Sequence, residues 1–413
     1  MSMRPPKQIS QENNHFQNFS DFRIRFARWI RYLQSDNLVS LAFLTGVVGI
    51  AAIFGSLEPR FFSERNFVNL VLQMSGVMAT AIGVVFVLLI AEIDLSIAYV
   101  GAIGSVTMTL LLREGGPNWP WWLAIPIALL LTALIGLLQG FIITKARAPS
   151  FVVTLAGLLA WSGVVSILTT QFSTAGTIVI QDPVVLGIAN SYLTVEWSWI
   201  LFGVATIIFG ILSTLNRHSK QRQGLSVPSL SVQAVRVLAI SGTIGAAIWY
   251  ANRDRGVPVV AVLSIVMLVF WGFVAHRTRF GRYVYAVGGN PEAARRAGIN
   301  VDRVRMVVFM ISSFMAGMGG IILASRLRSV DTNAGGGNLL LNSIAAAVIG
   351  GTSLFGGRGK VSSALLGALI IASVENGMGL LGFPLGIKSV VNGVVLIVAV
   401  LFDALSRNTE ETV

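Results

Sequence analysis

The stretch Val87–Ser105, "VLLIAEIDLSIAYVGAIGS", decides how the chain is read. Apolar residues run on both sides of it, and Glu92 and Asp94 sit in the middle. A charged side chain at the centre of a bilayer costs roughly 2.5–3.5 kcal/mol on insertion scales, so two acids there need a reason. A soluble core would be equally hostile to them. The surrounding composition chooses between these settings. The chain has 413 residues, 54% hydrophobic and only 12% charged. Soluble domains carry about 25% charged residues. The sequence is therefore that of an integral membrane protein.

Each crossing of a bilayer needs about 20 apolar residues. Runs of that kind lie near 39–57, 66–90, 96–112, 121–144, 150–170, 197–215, 235–251, 257–275, 306–325, 339–355, 361–380 and 386–405. The fold class expected is all-α, a polytopic membrane protein of about 10–12 transmembrane or re-entrant helices in two related halves. Three parts are expected: a polar lead-in over 1–38, a transmembrane region over 39–405, and a tail over 406–413. The lead-in is basic and lacks the apolar core and cleavage site of a signal peptide. Its stretch "FRIRFARWIRYL" has the pattern of an interfacial amphipathic helix.

The net charge is +12, from 25 Arg and 5 Lys against 18 acids. These charges lie in short segments between apolar runs, which points to topology rather than to nucleic acid. With the N-terminus inside and strict alternation, 22 of the basic residues fall inside and 8 outside. Cytoplasmic loops carry the excess of Lys and Arg, so both termini are expected in the cytoplasm. The segment 171–196 holds no Lys or Arg and falls outside. Its Asp182 and Glu196 are placed to meet an external partner, or are plain surface acids. Trp119, Trp121 and Trp122 form an interfacial belt.

Two breaks interrupt the apolar pattern: "AEIDLS" at 91–96 and "GGTSLFGGRGK" at 350–360. The first holds no basic residue to anchor it in the cytoplasm. Non-helical backbone at membrane depth must be buried in protein or line a wet cavity. Laid over one another, "IAEIDLS" and "IGGTSLF" share a weak pattern, a faint internal repeat. Interrupted segments at matching places in two halves mark a substrate site in transporters. The pathway residues expected from this are Glu92, Asp94, Ser96, Gly351, Thr352 and Ser353, joined by Asn376. Three roles stay open for the acids: capping the break, binding hydroxyls of a substrate, or relaying protons. Gln73, Gln139, Asn342 and Asn376 lie in or beside apolar segments, where hydrogen bonds between helices are the default role.

No cysteine is present, and His15, His218 and His276 are not at metal-ligand spacing. No nucleophile–base set is evident. The "GGRGK" at 356–360 lacks the G-x-x-x-x-G-K-[ST] spacing of a phosphate loop and reads as a tight turn. The most charged loop is 276–305. There Asn290 is a helix cap, Pro291 opens the first turn, Glu292 meets the helix dipole, and Gly298 stops the helix. A helix this short is marginal in water and needs something to hold it.

"EAARRAG" in that loop matches the E-A-A-x-x-x-G pattern of coupling loops in the membrane subunits of ABC importers. Together with "AEIDLS", "PSFVVTLAGLLA" (149–160), "FGRYVYAVGGNPEAARRAGIN" (280–300) and "AAAVIGGTSLFGGRGKVSSALLGALI" (345–370), the chain resembles the ribose/xylose-type sugar permeases over roughly 39–405. "AEIDLS", where ribose-type members commonly have "GGIDLS", is similar to the D-xylose members, as are the additional segments 197–251 and their basic loop.

The resemblance implies a multi-pass cell inner membrane subunit that works as a homodimer. It also implies a cytoplasmic ATP-binding subunit and a periplasmic or extracellular sugar-binding protein. Such a permease is not an enzyme and binds no cofactor; the partner ATPase uses ATP and Mg. The resemblance places Glu292, Ala293, Ala294 and Gly298 in the ATPase cleft, behind the cap formed by Asn290 and Pro291. D-xylose import is the activity expected. A proton-coupled carrier using Glu92 or Asp94, or a permease for another pentose or hexose, is the alternative.

Overall fold

The computed structural model describes residues 36–408 except Ser226 and Pro228. The basic lead-in with its interfacial stretch, and the last five residues of the tail, lie outside the described residues. Fifteen α-helices follow in chain order: α1 Asp36–Leu57, α2 Glu64–Leu89, α3 Ile97–Leu112, α4 Trp121–Lys145, α5 Ser150–Phe172, α6 Pro183–Asn190, α7 Val195–Arg222, α8 Leu230–Ala251, α9 Val259–Arg277, α10 Arg279–Gly289, α11 Pro291–Arg296, α12 Val301–Leu327, α13 Leu339–Ile349, α14 Ser362–Leu380 and α15 Leu385–Asn408. Among the described residues, eight helices are long and apolar enough to cross a membrane, and four apolar segments are shorter. Every one of the twelve apolar runs of the sequence is a helix. The run expected over 339–355 stops early, at Ile349, because Gly350 and Gly351 end the helix.

Burial sorts the helices into a centre and a rim. In α2, 78% of the apolar window is buried, and in α12 and α14 67%; in α7 and α8 the share is 6%. The two rim helices show large apolar side chains outward along their length, as a lipid-facing surface requires. The centre is α12, which packs against α2, α3 and α4 through small residues. A Cβ on Gly101 of α3 would lie 2.6 Å from the Ala316 carbonyl. One on Gly140 of α4 would lie 2.8 Å from Met306 Cα, and one on Gly83 of α2 2.7 Å from the Ser312 carbonyl. Lipid tails are as apolar as Leu, so close packing of backbones replaces the hydrophobic drive that joins helices in water.

The helix ends gather on two opposite faces. On one, called the hairpin face for its shape alone, the strands β1 (Thr177–Val179) and β2 (Ser329–Asp331), distant in the chain, form an antiparallel pair with Ile178 opposite Val330. The loop 252–258 lies against the start of α2, with Arg253 on Glu64 at 3.5 Å and Arg255 on Asn69 at 2.8 Å. Asp182 is spent inside this hairpin face: its carboxylate accepts from the backbone of Val184 and Val185 and caps α6. The other face holds both breaks, α10 and α11.

Gly101→Leu should lower the midpoint of thermal unfolding in detergent, by a destabilisation of about 1–3 kcal/mol. Gly203→Leu on α7, where an added Cβ meets nothing within 4 Å, should stay within about 0.5 kcal/mol of the parent. Equal effects at the two sites would remove α12 from the centre of the bundle.

Candidate functional site

The first break is closed by a backbone cap. Glu92 N–H reaches back to the Val87 carbonyl and Ala91 N–H to that of Leu88. This paired 6→1 and 5→2 arrangement ends helices whose next residue turns left-handed. Ala91 takes that role with φ +58°, a position glycine fills at lower cost. The second break ends α13 in the same way: Thr352 N–H bonds to the Ala347 carbonyl and Gly351 N–H to that of Val348, with Gly351 at φ +100°. The caps therefore place Ala91 over Gly351, one residue off the superposition of "IAEIDLS" on "IGGTSLF". The next turn returns to that superposition. Asp94 Oδ1 accepts from Ser96 N–H at 3.0 Å, as Ser353 Oγ accepts from Phe355 N–H at 3.3 Å. The first break thus carries one more residue between cap and turn.

The cap of α3 differs from the expected one in detail. Ser96 occupies the cap position, and Asp94 acts from two residues upstream. Asp94 is 5% exposed. Its Oδ1 also accepts from Ser96 Oγ at 2.7 Å, and its Oδ2 from Ser312 Oγ of α12 at 3.1 Å. Gln139 Nε2 of α4 donates to Ser96 Oγ at 2.9 Å. Both carboxylate oxygens are held by hydroxyls and backbone in a closed cluster.

Glu92 turns the other way and meets Arg305 of α12 at 3.1 Å, their side chains 12% and 29% exposed. Arg305 and Ser312 stand seven residues apart, two turns on one face of α12. One helix therefore grips both acids. The positive charge missing from the first break is supplied from that helix, which the local sequence does not disclose.

The two breaks touch. Gly357 N–H donates to the Leu89 carbonyl at 2.9 Å. The end of α10 closes the junction: a Cβ on Gly288 would lie 2.7 Å from Gly357 N and closer still to the Leu89 carbonyl. Tyr285 of α10 donates from its hydroxyl to the Gly359 carbonyl at 2.8 Å. Burial pushes the Tyr285 phenol up to about 12, so it remains a donor at any neutral pH. Thr352 is buried beside this junction, with Oγ1 unbonded.

Beyond the junction the chain turns through Asn290 into α11. Asn290 Oδ1 accepts from Ala293 N–H at 2.9 Å, and Pro291 opens the helix. Glu292 is exposed and pairs with Arg295 at 2.6 Å. Ala293 is exposed and Ala294 buried. Gly298, at φ +81°, ends the helix. The caps in the sequence disclose α11 but not α10, whose signal is the helical spacing of Phe280, Val284 and Val287.

Asn376 stands apart from the other expected pathway residues. It lies fourteen residues into α14, about 20 Å along the helix axis from the break. There it lines a cavity of about 530 Å³ at the hairpin face, with Asn66, Gln73, Arg326, Asn342 and Glu375. Asn66 Nδ2 donates to Asn376 Oδ1 at 2.8 Å. Glu375 is absent from the residues expected from sequence; an acid beside Asn376 in an apolar helix is the signal that could have found it.

A sequence profile described as "Branched-chain amino acid transport system / permease component" matches residues 66–400. The xylose transport system permease protein of Escherichia coli (strain K12) is 36% identical over 378 residues, 91% of this chain and 94% of that protein. Its Haemophilus influenzae counterpart is 35% identical over 384 residues, 91% of this chain and 98% of the relative. The ribose import permease protein of Escherichia coli (strain K12) is 32% identical over 374 residues, 90% and 96% of the two chains. No solved structure matches.

Ala91→Gly should raise the thermal midpoint, because relieving a left-handed alanine is worth about 1 kcal/mol. A lowered midpoint would contradict the cap. In a double-mutant cycle, Glu92→Gln and Arg305→Gln should show a coupling of about 0.5–3 kcal/mol in detergent unfolding, against zero for unrelated sites.

Proposed function

The chain belongs to the ribose/xylose-type sugar permeases of this permease-component family, and from that membership we propose that it is the membrane subunit of an ATP-driven, binding-protein-dependent sugar importer. D-Xylose is the sugar proposed, as the first relatives carry xylose in their names. The family profile names branched-chain amino acids in its description, while the named relatives carry sugars in theirs. Resemblance over nine-tenths of the chain to sugar permeases is the narrower guide.

One observation carries the coupling: the meeting of Gly288, Leu89 and Gly357, where the partner-facing loop touches both breaks. In the proposed cycle the break face is cytoplasmic, consistent with the excess of Lys and Arg on that side. A separate ATPase dimer, with its ATP and Mg, receives Glu292, Ala293, Ala294 and Gly298 from each of two permease copies. Movement of α11 displaces α10 at Gly288 and α12 at Arg305. The paired breaks, with Glu92, Asp94, Ser96, Gly351, Thr352 and Ser353, move with them and change which side is open. Exposed Ala293 permits close approach, and Asn290 with Pro291 holds the helix in shape.

A proton-coupled carrier needs an acid free to exchange a proton with the pathway. Asp94 has both oxygens bonded to hydroxyls and backbone, and Glu92 is paired with Arg305. That disfavours the carrier alternative built on Glu92 or Asp94.

Uptake of labelled pentoses and hexoses into vesicles, with the cognate ATPase and binding protein, tests the proposal. Import of D-xylose that depends on the ATPase is expected; equal import without the ATPase would overturn it. Glu292→Arg should reduce import about tenfold or more while the permease stays in the membrane, since an interfacial charge reversal costs well over 1.4 kcal/mol. Gly298→Asp should do the same, and Gly298→Asn, which tolerates the left-handed turn, should lose less. Unchanged uptake in the first two variants would remove α11 from the coupling.

A further inference from the structure

We propose that the cavity at the hairpin face is a binding site for one neutral monosaccharide, read through Glu375 and the amides around it. This rests on the reading of the chain as a sugar permease and names the contact site within it. The lining residues sit near the ends of helices on one face: Asn66 and Gln73 early in α2, Arg326 late in α12, Asn342 early in α13, and Glu375 and Asn376 late in α14. The cavity therefore has its mouth at the face opposite the breaks, where a delivered sugar would enter. Its volume of about 530 Å³ falls within the roughly 300–1,000 Å³ of ligand pockets.

Hydrogen bonds between helices would account for the amides if the network were complete, but it is not. Glu375 Oε1 accepts from Asn342 Nδ2 at 2.6 Å and from Asn392 Nδ2 at 3.2 Å. Its Oε2 accepts from no described residue. Asn376 Nδ2 reaches Gln73 Oε1 only at 3.4 Å, and Gln73 Nε2 donates to no described residue. Asn342, Asn376 and Asn392 are all buried; the first and last fix the carboxylate, and Asn376 accepts from Asn66. The cavity is left with an acceptor on Glu375 and an amide donor on Gln73, both half-buried and open to whatever fills it.

That pairing suits a sugar. Each hydroxyl donates and accepts, and a carboxylate oxygen beside an amide N–H takes one of each from adjacent hydroxyls. Arg326 and Lys388 at the same cavity add donors. Among the described residues no aromatic side chain lines the cavity. Binding is then weak and releasable, as a site on a path requires.

The chain has no cysteine, so single thiols report on the cavity cleanly. Asn69→Cys on α2 and Leu385→Cys on α15 place thiols on two walls of it. Each is made in the full chain and assembled in vesicles with its partners. Maleimide labelling is followed with D-xylose, D-ribose or D-glucose, with sucrose as the osmotic control. A transported monosaccharide should slow labelling at both thiols, and adding Glu375→Gln should raise the half-protecting concentration about tenfold, the loss of one charge-assisted hydrogen bond. Unprotected thiols in a complex that imports the sugar would overturn the site while leaving the importer intact. Absence of import by the parent complex, with protection present, would keep the site and reject the importer. Protection by a sugar acid such as gluconate and by no neutral sugar would overturn the proposal as stated.

Discussion

Backbone that leaves the helix and is buried among other helices must find a partner for each polar group it hides. The seven residues between α2 and α3 meet this condition from four directions. Their own helix takes the N–H groups of Ile90, Ala91 and Glu92. The start of α5 gives Ser150 Oγ to Ile93 N–H and Thr154 Oγ1 to the Ile93 carbonyl. Asp94 takes Ser96 N–H, and the second break supplies Gly357 N–H to Leu89. Neither break is complete alone. Their contact is a hydrogen-bonding requirement, and the remaining architecture is arranged so that they can meet.

The meeting depends on glycine at its centre and on α12 at its side. The backbone of Gly288 passes where any side chain would strike Leu89 and Gly357. Gly356 holds φ +83°, and a Cβ there would lie 2.7 Å from that of Ala91. Along α12, Arg305 and Ser312 hold the two acids while Gly319 and Gly320 admit α2 and α3. The same helix follows α11 after four residues. Anchoring the acids and carrying the exposed loop are thus tasks of one continuous element.

Much of this is legible in the sequence, and for a plain reason. An apolar run of about 20 residues suits little besides a membrane-crossing helix, so every run is found as a helix, with ends that differ by up to seven residues, as at Arg222. Asn290, Pro291 and Gly298 mark α11 because caps are local chemistry. What escapes is long-range or atypical. Nothing near Glu92 announces Arg305, 213 residues away. Ala91 fills a position that glycine usually signals, so the cap is hidden and the repeat aligns one residue off. The three-residue strands are too short for a period to show. Asn376 groups with the breaks in sequence because its helix begins beside one, yet its turn of α14 belongs to the far end. Glu375 lies in plain view, an acid in an apolar helix, but without a neighbouring break or a second acid to set it apart as 92 and 94 are set apart.

The packing at Gly288 has a mechanical meaning. Most loops that carry a signal have slack: a push at one end is partly absorbed before anything moves at the other. Here three backbones meet with no room for even a methyl group, and one hydrogen bond stitches two of them. Such a joint has no backlash. A displacement of α10 at Gly288 finds no slack on the side of either break, which makes the joint a stiff lever rather than a tether.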